Sequence, residues 1–230
     1  MSRYASHYLE SIPEVEVAVI LPHPGDAEIL CGGSILKLTQ AGRRVGVLDL
    51  TDGGAGSTVS ADLRLEQADR GAEVLGLTWR GCVMMPDARM ENTIMSRMTV
   101  TGEIKRLRPQ VAIASHWDHR HPDAASSSRL VEDACYLAGL EGLDDYLAAH
   151  RSVRVLFACG DTQVTPTFVV DITDQMEGKL GAVRQHKAMF RDEVEFLAGV
   201  AARARYFGEL IGVRFGEPFV ERGPREGNLL

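Results

Sequence analysis

Residues 15–33 read VEVAVILPHPGDAEILCGG, which puts a buried strand, a histidine, an aspartate and a helix start into one short run. Val15, Val17, Val19, Ile20 and Leu21 form an almost unbroken apolar series, the pattern of a strand buried on both faces in a parallel sheet. Pro22 and Pro24 stop that strand. Asp26 falls where a helix should begin; the helix is predicted over Ala27–Leu38, with Ile29, Leu30, Ile35 and Leu38 on its apolar face. His23 and Asp26 therefore lie at the carboxyl end of a strand, where open α/β sheets place their sites. Their spacing of three lets an imidazole and a carboxylate converge on one point, as zinc requires. The same spacing equally suits an N-capping aspartate beside a turn histidine.

With 230 residues the chain can bury a full core. Its net charge of −7 gives no general attraction to nucleic acid or to anionic membranes. Cysteines stand at 31, 82, 135 and 159 with no C-x-x-C spacing, so the expectation is buried thiols in a reducing compartment, with neither disulfides nor a cysteine zinc site. The opening MSRYASHYLESIPE is too polar for a signal peptide, and no apolar run approaches the roughly 18 residues of a membrane span. A cytoplasmic protein is expected.

A second strand, Val45–Leu50, runs into the glycine-rich TDGGAGS at Thr51–Ser57. That loop suits close backbone approach to a ligand or a flexible turn, and it lacks the G-x-G-x-x-G and phosphate-loop patterns. Residues 61–76 read as a helix with Leu63, Ala72 and Leu75 inward and Gly76 as C-cap. A strand at Thr78–Val83 leads to methionines at 84, 85, 90, 95 and 98, read as a pliable apolar wall or interface. Helix Thr93–Leu107 ends in basic residues before Pro109, and Val111–Ala114 is a further parallel strand.

That strand ends in a second polar cluster, SHWDHRHPDAASSSRLV, which holds His116, Asp118, His119, His121 and Asp123 ahead of a helix at Pro122–Leu137. Parallel strands joined by right-handed crossovers bring both clusters to one edge of the sheet. This coincidence, more than either cluster alone, points to a site. Beyond Gly139, strands are predicted at Val153–Ala158 and Thr167–Ile172. A helix should follow from Thr173 to about Phe190 and another over Val194–Gly208, leading into LIGVRFGEPFVERGP and a polar tail. The expected organisation is one domain over 1–230, with a core at about 14–160, a C-terminal strand and helices at 161–221 and a tail at 222–230.

The order strand, P-H-P-x-D-A-E, helix and later H-P-D resembles the LmbE-like or PIG-L-type zinc N-deacetylases. The stretches PTFVVDITDQMEGKLGAVRQHKAMF and ARARYFGELIGVRFGEPF are similar to the branch that deacetylates N-acetylglucosaminyl malate in bacillithiol synthesis. The resemblance runs from about Glu14 to Glu221 and implies a Rossmann-like, three-layer α/β/α fold with a mostly parallel sheet. It further implies zinc ligation by His23 and Asp26, and polarisation of the amide carbonyl by His121, oriented by Asp123.

Two family positions depart from this pattern. The general-base position holds Gly25, and the third-ligand position holds Ala124. Two ligands hold zinc less tightly than three, and a carboxylate base contributes about 10²–10⁴-fold. His119 is the candidate substitute ligand, with Asp118 and His116 as alternatives, and Glu28 is the candidate substitute carboxylate. Asp52 and Gly54 replace charged residues of the relatives' T-R-G-E text, which implies a different substrate specificity; Gly25, Glu28, Ala124, Asp52 and Gly53 are expected around the substrate.

Three readings of function stay open. The first is a zinc-dependent deacetylase acting on a small amino-sugar conjugate. The second is a binding or regulatory homologue that kept the pocket, with zinc weakened or lost. The third is a metal-free enzyme reusing His121 and Asp123 as an acid/base pair. The expected partner is a small-molecule amino-sugar conjugate, with no nucleic acid and no membrane. By analogy with relatives the chain forms a homo-oligomer, with the methionine-rich segment as candidate interface.

Overall fold

The structure is a computed structural model that describes residues 12–55, 58–143, 146–151, 153–160 and 163–222. The opening run forms β1 (Val17–Leu21), buried along its whole length. Its side chains alternate between two cores, with Val17, Val19 and Leu21 entering one and Ala18 and Ile20 the other. Alternation into two apolar layers is what an internal parallel strand demands. Full burial of side chains such as Val19, Ile20 and Leu21 contributes roughly 1.5–3 kcal/mol each.

On either side of β1 lie β2 (Val45–Thr51) and β4 (Val111–Ser115), both parallel to it. Adding β3 (Trp79–Met85), β5 (Arg154–Ala158), β6 (Phe168–Asp171) and β7 (Gly216–Glu221) gives one seven-stranded sheet in the order β3-β2-β1-β4-β5-β7-β6. Helices α1 (Asp26–Gln40), α2 (Ala61–Leu75) and α5 (Met176–Val183) lie on one face, through Ile35, Leu75 and Ala182. The other face carries α3 (Ile94–Leu107) and α4 (Pro122–Ala138), through Ile104 and Val131. This is the expected three-layer α/β/α fold. Because β1 leads outward to β2 while its other neighbour is β4, the topological switch point lies between β1 and β4, at whose carboxyl ends such sheets bind ligands.

Several local expectations change. Strand β7 forms within LIGVRFGEPFVERGP, where no strand is predicted; it inserts antiparallel between β5 and β6. Its Glu217 carboxylate accepts the N–H groups of Gly33 (2.8 Å) and Ser34 (2.6 Å), freed where α1 breaks at Cys31, and is neutralised by the buried Lys179 of α5 at 2.5 Å. The helix predicted to reach Phe190 ends at Val183, and a 3-10 turn at Lys187–Met189 follows before α6 (Glu193–Glu209). Helix α2 buries Arg64, Leu65, Gln67, Ala68, Gly71 and Leu75, while Leu63 and Ala72 are only half-buried. Its inward face carries polar groups because it supports the site loops: Arg64 donates to the Pro24 carbonyl and Gln67 accepts from the Ala188 amide.

Candidate functional site

The β1–α1 and β4–α4 loops meet at the switch point around an open cavity of about 360 Å³. That size suits a small ligand. Its wall includes His23, Asp26, His119, Arg120, His121 and Ala124.

His23 is the centre of the arrangement. Asp26 is the first helical residue and Gly25 takes the cap position, so the Asp26 side chain is released from capping and turns back on the loop. Its Oδ2 accepts the His23 backbone N–H and lies 3.1 Å from Nδ1. On the opposite side of the ring, Nε2 lies 3.3 Å from Asp123 Oδ2 and 3.0 Å from Asp87 Oδ1. Burial works against charge on the imidazole, but Asp26, Asp87 and Asp123 outweigh it and push the His23 pKa up to about 9.

Asp123 is buried at the start of α4, and its carboxylate is gripped by the N–H groups of Ala88 (2.8 Å) and Met90 (3.2 Å). It faces His23 Nε2, whereas the resemblance implies that it orients His121. His121 instead caps α4 through Nδ1, which accepts the Asp123 backbone N–H at 3.2 Å. That bond leaves the His121 proton on Nε2, so the ring is a hydrogen-bond donor.

His119 lines the same cavity, but its Nδ1 accepts the His121 N–H at 3.0 Å. Among the described residues, the three-residue group whose donor atoms lie within 4.8 Å of one another is His23, His121 and Asp123; Asp26 and the candidate substitute ligand His119 are outside it. His116 is buried, with Nδ1 accepting the Asp118 N–H and its ring stacked on Trp117.

Of the residues expected around the substrate, Ala124 lines the cavity and the others do not. Gly25 has φ +102°, and a Cβ there would meet the thioether of Met189. Asp52 is engaged in its own turn by the Gly54 N–H, and Gly53 packs against the Arg64 guanidinium. Glu28 is fully buried and unavailable as a base: Oε1 lies 2.5 Å from Arg80 and 3.0 Å from His186, and the same Arg80 is bidentate to buried Asp49. Arg80 and His186 overcome burial to hold the Glu28 carboxyl below its ordinary range. Helix α2 passes this cluster at Gly71, where a Cβ would collide with the Glu28 carboxylate.

Asp87 is a residue of this site that no local sequence pattern marks. The dipeptide Pro86-Asp87 after β3 carried no recognised motif, and its relation to His23 arises only when β3 joins the sheet beyond β2. The four cysteines are free and buried, with burial pushing Cys82, Cys135 and Cys159 up to about 12, so none is a nucleophile at neutral pH.

The donor set fits a divalent cation through two ligands. His23 Nδ1 and Asp26 Oδ2 are 3.1 Å apart, close to the roughly 3.4 Å between neighbouring ligands of a tetrahedral zinc. The far side of the imidazole is backed by carboxylates, as metal-bound histidines are. His121 is held as an Nε2–H donor and Asp123 serves the far side of the ring, so neither completes the set.

The family model for PIG-L, GlcNAc-PI de-N-acetylase, matches residues 18–135. A diacetylchitobiose deacetylase of Thermococcus kodakarensis is 34% identical over 221 residues, spanning 88% of this chain and 81% of that one. The crystal structure of a conserved protein from Thermus thermophilus superposes with a TM-score of 0.87 at 31% identity, covering 93% of this chain and 97% of that one. The N,N'-diacetylchitobiose deacetylase from Pyrococcus horikoshii, complexed with an inhibitor, superposes with a TM-score of 0.81 at 27% identity, over 94% and 85% of the two chains. No helix among the described residues is long and apolar enough to cross a membrane.

Proposed function

This chain belongs to the PIG-L family of deacetylases, and from that premise we propose that it is a metal-dependent N-deacetylase that removes the acetyl group from an N-acetylglucosamine conjugate. The observation that carries the reading is the His23–Asp26 pair, backed by Asp87 and Asp123 and facing the cavity at the switch point. His23 and Asp26 would hold the cation, which when bound polarises an amide carbonyl and acidifies water. His121, with its proton on Nε2, donates to the amide oxygen and stabilises the charge that develops there. Position 25 offers no carboxylate to accept a proton, so turnover is slow relative to a site with one. The substrate's remaining half is an anionic aglycone such as malate, supported by Arg120 on the cavity wall and by the resemblance of the C-terminal text to the bacillithiol branch.

A second reading rests on Met189 over Gly25 and on the methyl group of Ala124: a homologue that binds the conjugate without zinc-dependent turnover. Zinc content after reconstitution, with acetate release from N-acetylglucosaminyl malate and from diacetylchitobiose, separates the two. Under the first reading zinc binds, Asp26→Ala abolishes that binding, and a chelator stops acetate release. Conjugate binding that persists with chelator and without acetate release supports the second. We also propose that two copies associate through the methionine-rich face, where Ile94 and Met95 are exposed, and that the protein acts in the cytoplasm.

A further inference from the structure

Asp87 gathers three separate stretches of chain onto one carboxylate. Oδ1 lies 3.0 Å from His23 Nε2, accepts the Ala88 N–H at 3.0 Å and stands 3.4 Å from the Thr51 hydroxyl oxygen. Oδ2 accepts the Ala55 N–H at 2.8 Å. Thr51 ends β2, and its hydroxyl donates its one proton to the Pro22 carbonyl at 2.9 Å, next to His23. The turn that delivers Asp87 is itself unusual, since Ala88 is a non-glycine residue with φ +60°. Such a conformation persists only where its surroundings hold it, and both the Asp87 and the Asp123 carboxylates accept its N–H.

We infer that Asp87 is a positioning residue that clamps the His23 imidazole and the glycine-rich loop together, so that a cation on His23 and Asp26 and the order of Thr51–Ala55 are coupled. The inference rests on the metal-binding reading above. Its physical basis is directional. A cation on Nδ1 requires His23 to keep its proton on Nε2, and that proton points at carboxylates of which one, Asp87, also holds the Ala55 amide. Fixing the ring therefore fixes the acceptor that the loop hangs from. By the same linkage, ordering the loop pre-forms the cation site.

The test uses cobalt(II) as the probe, read through its visible d–d absorption, together with amide exchange at Ala55. In the wild-type chain cobalt should slow exchange at Ala55. In Asp87→Asn, cobalt affinity should fall about 10–100-fold, Ala55 should exchange faster without metal, and cobalt should no longer slow it. The absorption band should keep its position in Asp87→Asn, because the atoms bound to cobalt are unchanged, whereas Asp26→Ala should lose the band. If the wild type binds no cobalt, the metal reading fails and takes this inference with it. If cobalt binds while Ala55 exchange is unaltered, the inference alone is overturned. Should Asp87→Asn not fold, exchange at Ala55 in the wild type with and without cobalt still decides the point.

Discussion

Two clusters of charge sit within a few residues of each other on α1, and they are built on opposite plans. The inner one sets Glu28 and Asp49 against Arg80 and His186, all buried. The Arg80 guanidinium, bidentate to Asp49, also reaches Glu28, which the His186 ring flanks, so both carboxylates find their partners inside the core. The outer one sets Asp26, Asp87 and Asp123 around a single imidazole, His23, beside an open cavity. Negative charge is in excess there, and a proton on His23 is the cation that answers it. Buried charge alone therefore does not mark a site in this molecule. The proposed site differs in that its three carboxylates lie beside an open cavity, which leaves room for a cation from outside.

The sharpest way to break the comparison is Arg80→Leu. Removing the permanent cation leaves Glu28 and Asp49 buried without it, an arrangement that costs about 3–5 kcal/mol. Urea denaturation should register that loss in full, and a loss below about 1 kcal/mol would show that the inner cluster is not a closed structural unit.

The outer cluster should reveal itself through pH. The folded pKa of His23 in the metal-free chain is raised from 6.5 to about 9. Its contribution to stability is thus fully present below pH 6.5 and is lost as the pH rises through about 9. A shift of that size bounds the effect at about 3 kcal/mol. Urea denaturation at pH 6 and at pH 9.5 should show the decline, and His23→Asn should flatten it. Zinc, by taking the place of the proton on Nδ1, should flatten it as well. A metal-free chain equally stable at both pH values would remove the case for excess negative charge around His23.

The two plans were unequally legible in the sequence. The strand at residues 15–21 and the H-x-x-D spacing are local, and local patterns survive folding: β1 forms as predicted and brings His23 beside Asp26. The H-P-D of the second loop likewise arrives at the same sheet edge, because parallel strands put it there. Contacts between elements were invisible. Nothing local to Glu28, the candidate substitute carboxylate, indicates that Arg80, 52 residues on, binds it in the core. Asp87 depended on the neighbours of β3, and the inward polar face of α2 depended on what Arg64 and Gln67 must support. Strand β7 was hidden because Gly216 and Pro218 lie in a run that reads as loop, although Pro218 sits inside the sheet, paired with Val169.

Gly25 is where the smallest expected change tests the most. Gly25→Asp places a carboxylate at the family's general-base position, but φ is +102° there and Met189 occupies the space that a side chain would enter. Backbone strain of this kind costs about 1–3 kcal/mol, while the thioether is the far end of a flexible side chain and can move. The loss should therefore be modest by denaturation, and smaller still in a Met189→Ala background, with the difference measuring how far the two positions are matched. Chemistry gives the second readout. If the His23–Asp26 pair holds a cation against an acetamido group, the double variant should release acetate about 10²–10⁴-fold faster than the wild-type chain, as a carboxylate general base provides. If the double variant folds and binds the conjugate but releases no acetate, a missing base was not what limited the site. The imbalance around His23 would then serve recognition.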